Sequence, residues 1–189
     1  MRLFWRKGYR ATSLSDLTGA MRISRASLYA AFGSKAALFR KALACYDSGP
    51  SSFTVKALEE PTARDVVASI LYGFIEVGCS ARYPRGCMWV HGLLSTGGGS
   101  DTSVHRELIA RQRSAERMLV KRFRRAIEEG DLPADTDPEA LTRRVTVLNF
   151  GLAVRASMGA TSRELRRVVD DVLRIFPPRI RDARRHSDG

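Results

Sequence analysis

Cysteine is scarce in this sequence, and long apolar runs are missing from it. The three cysteines, Cys45, Cys79 and Cys87, are an odd number without CxxC spacing, so neither a disulfide framework nor a structural zinc site is indicated and we expect buried thiols. No apolar run approaches the roughly 20 residues of a membrane span, and no basic and then apolar signal segment opens the chain. We therefore expect a cytoplasmic protein with no metal, no cofactor and no membrane partner.

Sequence signatures of catalysis are also missing. The three histidines, His91, His105 and His186, lie far apart, and the chain has no GxSxG, no HExxH and no glycine-rich phosphate loop before a helix. The run from Gly97 to Gly99 follows no predicted strand and is interpreted as a linker. We expect no catalytic residues, although an enzyme whose distant residues pair in three dimensions stays open as an alternative.

Basic residues, in contrast, are abundant and unevenly placed. The formal net charge is +12, and up to Tyr46 nine basic residues stand against the single acid Asp16. About two thirds of the excess positive charge thus lies in the first quarter of the chain, which indicates a polyanionic partner. Charge alone does not distinguish double-stranded DNA from an anionic membrane surface.

Two short helices, a tight connection and a longer third helix are predicted within residues 8–41. Ser13 followed by Asp16 is a capping-box pattern, and Ser24 and Ser34 are candidate caps for the next two helices. The second helix presents small and polar side chains outward, namely Arg25, Ala26, Ser27, Tyr29 and Ala30. This pattern is typical of a helix-turn-helix, whose second helix enters the major groove, but an ordinary helical hairpin would share it.

The same segment carries a longer motif. The pattern FxxKGYxxTSLxDLxxAxxISxxSLYxxFxSKxxLF is matched by Phe4, Lys7, Gly8, Tyr9, Thr12, Ser13, Asp16, Ala20, Ile23, Ser24, Leu28, Tyr29, Phe32, Ser34, Lys35 and Leu38. It resembles the DNA-binding domain of TetR-type (tetracycline-repressor-like) transcriptional regulators. The resemblance implies phosphate contacts from Thr12, Ser13, Tyr29 and Lys35. It implies base contacts from Arg25, Ala26 and Ser27. Ser24 and Ser34 add donors near helix N-termini, where phosphate is favoured.

Two positions depart from the family pattern. Arg22 stands in the turn where such proteins usually carry glycine, and a positive φ there costs on the order of 1 kcal/mol. We expect either a strained turn or an added cation near DNA.

The first helix usually begins well before the Phe4–Trp5 pair, whereas Met1 leaves barely two turns. We expect a less stable domain, or a natural start upstream of Met1. With Tyr9, this aromatic pair is expected to lock the first helix over the next two.

Helical periodicity continues through the rest of the chain. We predict an all-α protein with a three-helix helix-turn-helix domain at 1–47, a helical ligand-binding and dimerisation domain at 48–178 and a disordered basic tail at 179–189. Gly49–Pro50 marks the boundary region between the helix-turn-helix domain and the rest of the chain. The predicted helices span about 62–79, 87–94, 102–129, 138–158 and 162–176, the last beginning at a Ser162 cap. The apolar stripes of the last two suit helix pairing, although they could also face the chain's own core. The resemblance implies a homodimer through these two helices.

Aromatic and thioether side chains in the middle of the chain exceed what a DNA-binding module needs. The candidate ligand residues are Phe74, Cys87, Met88, Trp89, His91, Phe123, Asn149 and Phe150. Pockets are typically apolar with a few polar anchors, here His91 and Asn149, but the same residues are common in plain cores. Cys87 is the candidate sensor thiol, because nearby Arg85 is expected to lower its pKa.

Together these observations predict a ligand-responsive, homodimeric DNA-binding regulator. We expect a repressor that binds a palindromic operator and is released by a small apolar or amphipathic effector, as the resemblance implies. The main alternative is a basic helical protein that binds DNA or a membrane surface without regard to sequence. Preference for one DNA sequence separates the two, because both would release counterions on binding.

Overall fold

Helices account for the regular structure of the part of the chain that is described. The computed structural model describes residues 1–96 and 102–176, so the predicted Gly97–Gly99 linker and the basic tail at 179–189 lie outside the described residues. The helices are α1 (Arg2–Ala11), α2 (Leu14–Met21), α3 (Arg25–Phe32), α4 (Lys35–Ser48), α5 (Phe53–Ala57), α6 (Ala63–Gly78), α7 (Met88–Thr96), α8 (Thr102–Glu128), α9 (Pro138–Ser157) and α10 (Ser162–Arg174). The predicted all-α fold class is confirmed.

Side-chain caps begin the N-terminal helices where the sequence predicts them. At the start of α2, Asp16 N donates to Ser13 Oγ over 3.0 Å and Ser13 N donates to Asp16 Oδ2 over 2.9 Å. The hydroxyls of Ser24 and Ser34 accept from the amides three residues on, at the starts of α3 and α4. Each cap satisfies a backbone N–H that the helix leaves unpaired. The boundaries of the helix-turn-helix therefore follow from local chemistry.

The C-terminal helices also begin at caps, with one correction. Helix α9 begins at Pro138, as predicted, and Asp137 caps it. The cap of α10 is Thr161 and not the predicted Ser162, because Glu164 lies three residues after Thr161 and completes a second capping box.

Helix α5 is missing from the sequence prediction, which places only a break around Gly49–Pro50. This five-residue helix has no side-chain cap, and it is too short for a periodic signal. It is held by a long-range contact instead, since a Cβ at Gly73 would lie 2.3 Å from a ring carbon of Phe53. The Phe53 ring also meets Phe74 edge to face at 5.0 Å between centroids. The bare backbone of Gly73 therefore seats α5 against α6.

Helix α1 packs differently from the prediction. Its aromatic side chains contact α4 and the segment before α7, and not mainly α2 and α3. The Phe4 ring meets Phe39 at 5.1 Å, and the Trp5 ring lies 4.7 Å from Tyr46 and 5.4 Å from Tyr83. Such edge-to-face and stacked pairs add to the burial of large apolar surfaces. The start of the chain is thus anchored to α4 and to the segment before α7.

A bend at Gly8 brings α1 against α7. Gly8 has φ +74°, and a Cβ there would lie 2.6 Å from Ser95 Cβ. The next amide, Tyr9 N, donates to Ser95 Oγ over 2.9 Å. Glycine is required at this position both by the backbone angle and by the close approach of α7.

Two buried clusters support these helices. The N-terminal cluster joins α1 to α4 with α7 and the start of α8, through Trp5, Leu17, Leu28, Phe39, Met88, Val90 and Leu108. The C-terminal cluster joins α6, the end of α8, α9 and α10, through Val66, Leu71, Phe123, Val145 and Val169. The division into residues 1–47 and 48–178 stays a prediction, since the N-terminal cluster extends across it.

Candidate nucleic-acid interface

The turn between α2 and α3 has the left-handed backbone conformation expected at this position. Arg22, at the end of α2, has φ 54° and ψ 43°, and it is the one non-glycine residue with positive φ in the described ranges. Its amide donates to Gly19 O over 3.3 Å, and its side chain is exposed. The left-handed turn therefore forms without glycine and directs a cation toward solvent.

Helix α3 has one buried side chain and an exposed face. Leu28 is fully buried and fixes the helix against the N-terminal cluster. The five side chains predicted to face outward are all exposed, namely Arg25, Ala26, Ser27, Tyr29 and Ala30. The short side chains among them allow another surface to approach the α3 backbone closely.

Local hydrogen bonds orient the polar groups on this face. Arg25 Nη2 donates to Ser15 Oγ on α2 over 3.0 Å. The hydroxyls of Ser24 and Ser27 lie 2.9 Å apart, and Ser27 N donates to Ser24 Oγ over 3.0 Å. The guanidinium and the two hydroxyls are therefore positioned before any partner arrives, which lowers the entropy cost of binding.

The residues predicted to contact phosphate do not share one environment. Ser13 is exposed at the start of α2, and Tyr29 is exposed in the second turn of α3. Thr12 is fully buried, and its hydroxyl donates to Gly8 O over 2.7 Å. A buried Thr12 side chain does not fit the expected phosphate contact. Its hydrogen bond stabilises the end of α1 instead.

Lys35 lies half-buried at the start of α4. Its Nζ lies 4.6 Å from the centroid of the Tyr9 ring and donates to Arg10 O over 3.3 Å. Ser34, the cap of α4, is also half-buried. The ammonium is thus held beside the N-termini of α2 and α4, where helix dipoles favour an anion.

Asp16, the single acid up to Tyr46, is paired within the fold. Lys7 Nζ donates to Asp16 Oδ1 over 2.8 Å. This hydrogen bond, together with the bonds from Ser13, lowers the Asp16 pKa to about 2. The carboxylate therefore stays ionised, and its charge is paired with that of Lys7. Sequence reasoning identified Lys7 as a motif residue but missed this pairing.

A cavity lies behind α4, bounded by α5, α6, α7, α8 and α9, with a volume of about 410 Å³. Five of the eight candidate ligand residues line it, namely Phe74, Cys87, Trp89, Asn149 and Phe150. A smaller cavity of about 130 Å³ adjoins it and shares Phe74 and Asn149. A concave site of this size and apolar character suits a small organic molecule.

The other three candidates are corrected, because their side chains lie elsewhere. Met88 is fully buried in the N-terminal cluster and Phe123 is fully buried in the C-terminal cluster. His91 Nδ1 lies 2.6 Å from Trp5 O. These residues support the fold around the cavity and do not line it.

Cys87 lacks the features expected of a reactive thiol. Burial raises the pKa of Cys87, although Tyr46 Oη donates to its Sγ over 3.4 Å. Arg85 does not lower this pKa, because its guanidinium donates to Ala160 O and, over 2.8 Å, to Ala156 O. The expectation of a lowered pKa is therefore wrong. The expectation of three buried thiols is also wrong, since Cys45 is exposed.

Charged residues that sequence reasoning missed connect the cavity to α4. Asp47, in the last turn of α4, accepts from Trp89 Nε1 over 2.7 Å and lies 3.4 Å from Arg111 Nη1. Arg111 also pairs with Glu107 at 3.3 Å, and Glu107 pairs with Arg40 at 2.5 Å. Burial raises the Asp47 pKa, while the Trp89 bond and the Arg111 charge oppose that shift. Helix α4 therefore contacts the cavity wall through paired charges.

Other chemistry is sparse in the described part of the chain. The Thr96 hydroxyl lies 3.0 Å from His105 Nδ1, but it is buried and donates to Gly92 O. Among residues 1–96 and 102–176, no cluster of three metal-ligating side chains occurs. None of the helices in these ranges combines the length and apolarity needed to cross a bilayer.

Comparisons with known proteins agree with this geometry. A family model described as bacterial regulatory proteins, tetR family, matches residues 1–42. A second model, described as the tetracyclin repressor-like C-terminal domain, matches residues 63–172. The chain is 27% identical over 179 residues to the HTH-type transcriptional repressor ComR of Escherichia coli, covering 94% of this chain and 85% of ComR. It is 26% identical over 176 residues to the HTH-type transcriptional regulator YezE of Bacillus subtilis, covering 92% of this chain and 90% of YezE.

Solved structures give the same result. A cysteine mutant of the TetR family transcriptional regulator CifR, complexed with 26 bp double-strand operator DNA, is 40% identical, with a TM-score of 0.87 and coverage of 93% of this chain and 92% of CifR. A TetR transcriptional regulator from Rhodococcus sp. is 38% identical, with a TM-score of 0.66. The match covers 94% of this chain and 95% of the Rhodococcus chain.

The capped helix pair and the helical domain behind it define a helix-turn-helix regulator. The chain belongs to the TetR family of bacterial transcriptional regulators. Family membership confirms the resemblance drawn from the N-terminal motif and extends it to most of the chain.

Proposed function

We propose that this protein is a homodimeric transcriptional repressor that acts on DNA in the cytoplasm and is released by a small apolar or amphipathic effector. The observation that carries the proposal is the exposed face of α3, whose polar groups are already oriented by their own caps. The 40% identical CifR mutant, solved with operator DNA, supports a DNA partner for this chain. We assign the chain no reaction of its own.

In the proposed complex, α3 enters the major groove. Arg25, Ala26 and Ser27 meet base edges, because they lie in the first turn of the exposed face. Tyr29 and Lys35 hold phosphates on either side. The exposed side chains of Ser13, Arg22 and Ser24, with the half-buried Ser34, complete the polar rim.

An exposed apolar stripe on α9 and α10 supports the homodimer. Val147 on α9 and Met158 at its C-cap are each 71% exposed, and Val168 on α10 is 44% exposed. Val154 lies between the first two on the same helix face. Pairing of α9 and α10 from two chains would bury this stripe in a four-helix bundle. Two α3 helices about one helical turn of DNA apart could then read a palindromic site.

Helix α4 connects the cavity to the DNA-binding surface. Its first turn carries Lys35 beside α3, and its last turn carries Asp47 at the cavity wall. An effector that changes the packing around Asp47 therefore tilts the helix that positions α3. By linkage, an effector that favours the tilted dimer weakens DNA binding by the same free energy.

Selection of duplexes from a random DNA pool, at near-physiological salt, tests the DNA-binding half of the proposal. We expect a palindromic motif with two equal half-sites. Recovery of unenriched sequences would contradict the proposal and favour sequence-indifferent binding to DNA or to an anionic membrane. Vesicles with and without anionic lipid would then separate those two partners.

Sedimentation analysis tests the dimer. We expect the wild-type protein to sediment as a dimer and Val147→Glu to sediment as a monomer, because a carboxylate would be buried in the bundle. The control is Leu94→Glu, since Leu94 is 70% exposed on α7, away from the stripe. A dimer that tolerates Val147→Glu would place the interface elsewhere.

A further inference from the structure

The wall of the cavity includes a polar atom that bears on the chemistry of its ligand. Asn149 lines both the larger and the smaller cavity. Its Oδ1 is buried and has no hydrogen-bond partner in the described part of the protein. A buried amide oxygen without a donor is uncommon, because burial removes its hydrogen bonds to water without a replacement. A ligand that donates a hydrogen bond to this atom would supply that replacement.

Several other polar side chains around the larger cavity already have partners. Trp89 Nε1 donates to Asp47, and Asp47 pairs with Arg111. Thr54 Oγ1 donates to Ser51 O over 2.8 Å. The charged side chains that line the larger cavity are therefore one acid and one base that pair with each other. An ion entering it would lose its hydration without meeting an unpaired opposite charge.

The smaller cavity adds one carboxylate. Glu116 lines it and accepts from Gln112 Nε2 over 3.2 Å. Because this carboxylate retains further acceptor capacity, a cationic ligand is the alternative that an experiment must exclude. Most of the remaining wall residues are aromatic or aliphatic, with Phe74, Trp89 and Phe150 around the larger cavity.

We propose that the effector is an uncharged, largely apolar molecule with a hydroxyl group, which donates a hydrogen bond to Asn149 Oδ1 while its apolar body packs between the aromatic walls. This inference rests on the proposed effector site and specifies the ligand class of that site. A hydroxyl is favoured over an ether or a ketone because only the hydroxyl supplies a donor. Sites built around a buried hydrogen bond discriminate strongly against analogues that lack it.

Calorimetric titration of the full chain with matched probes tests the inference without DNA. The probes are built on three skeletons, benzyl, hydrocinnamyl and naphthylmethyl. Each skeleton is tested as four compounds, namely the alcohol, its methyl ether, a carboxylate and an amine. We expect at least one alcohol to bind about tenfold or more tightly than its ether, which lacks the donor, and the carboxylates and amines to bind more weakly still. Equal affinity of alcohol and ether, tighter binding of an ion, or no binding by any alcohol would overturn the inference.

Two variants locate the effect. In Asn149→Leu the advantage of the alcohol over the ether should disappear, because the acceptor is replaced by an apolar group of similar size. The control Gln112→Leu changes a lining residue whose amide already has a partner, and it should keep the advantage. The comparison of probes on the wild-type protein tests the inference even if a variant does not fold. An Asn149→Leu protein that keeps the advantage would contradict the assignment.

Release of the selected operator is measured separately with the same probes. Release by the tightest alcohol supports both the ligand class and the proposed coupling. An alcohol that binds about tenfold tighter than its ether without releasing DNA supports the ligand class and contradicts the coupling. Release with equal potency by alcohol and ether supports the coupling and overturns the ligand class.

Discussion

The helix-turn-helix surface and the cavity are held in place by different interactions. The surface consists of exposed side chains close together in the chain, oriented by the caps Ser13, Ser24 and Ser34. The cavity is made by helices from α4 to α9, and its polar side chains pair across large separations in the sequence, as Asp47 does with Arg111. The surface is therefore locally determined, whereas the cavity exists only once the whole fold has formed.

This difference has a consequence for regulation. The locally capped helix pair can move as one unit, because its internal hydrogen bonds do not depend on the rest of the fold. Its position does depend on the N-terminal cluster, where Trp5 packs on Tyr46 and Tyr46 donates to Cys87 at the cavity. In the proposed mechanism, a ligand therefore repositions the DNA-binding surface without altering its internal geometry.

The largest expected effect comes from the shared cluster. Trp5→Ala should lower the free energy of unfolding by about 3–5 kcal/mol, because it removes a fully buried indole. Urea denaturation followed by circular dichroism measures the decrease. The control Leu94→Ala should be nearly neutral, since Leu94 is 70% exposed. A decrease below about 1 kcal/mol for Trp5→Ala would mean that the helix-turn-helix does not rely on this anchor.

The next effect concerns phosphate binding. Lys35→Ala should weaken binding to all DNA sequences by about 1.5–3 kcal/mol, the range for hydrogen bonds to charged groups. The slope of log affinity against log salt should fall by about 0.9 for each phosphate that the variant no longer neutralises. Fluorescence anisotropy across a salt series measures both. Lys121→Ala, which removes an exposed lysine on α8, is the control, and an unchanged slope for Lys35→Ala would remove Lys35 from the interface.

A smaller effect separates the two expectations for Arg22. Arg22→Gly should raise the free energy of unfolding by on the order of 1 kcal/mol, because glycine adopts the left-handed conformation without steric cost. If Arg22 also contacts DNA, the same variant should bind more weakly and show a lower salt slope. Unchanged binding by a more stable Arg22→Gly protein would show that Arg22 only strains the turn.

The smallest effect is a pH dependence of the α2 cap. Because the folded-state pKa of Asp16 is lowered to about 2, its contribution to stability is present above its ordinary pKa and is lost as the pH falls toward 2. Carboxyl chemical shifts in an NMR titration should give the low pKa directly. Lys7→Met should raise this pKa, since the Lys7 hydrogen bond is its largest cause. An unshifted Asp16 in the wild-type protein would contradict the pairing.

Local chemistry explains why the DNA-binding surface could be predicted from sequence. Caps such as Ser24 act on amides three residues away, so the pattern of residue types determines where α3 starts. Once Leu28 is known to be buried, the helical period determines which side chains of α3 are exposed. The phosphate contact that the resemblance implies for Thr12 does not fit its buried side chain. Its bond to Gly8 O depends on a bend in α1 that the sequence pattern does not specify.

The cavity could be predicted only in part. Trp89 and Met88 are neighbours of similar apolar character, yet one lines the cavity and the other belongs to the N-terminal cluster. Sequence alone does not decide which of the two faces inward toward a ligand. Asp47 and Arg111 were missed because 64 positions separate them, and helix α5 was missed because it depends on a contact with Gly73.

The measurement that tests the DNA-binding assignment most directly is duplex selection repeated with Arg25→Ala and Ser27→Ala, with Ser114→Ala on α8 as the control. If α3 of each protomer reads one half-site, each α3 variant should lose preference at one position, and this change should appear symmetrically in both half-sites. The control motif should match that of the wild-type protein. Motifs that are identical for all four proteins would contradict base recognition by α3.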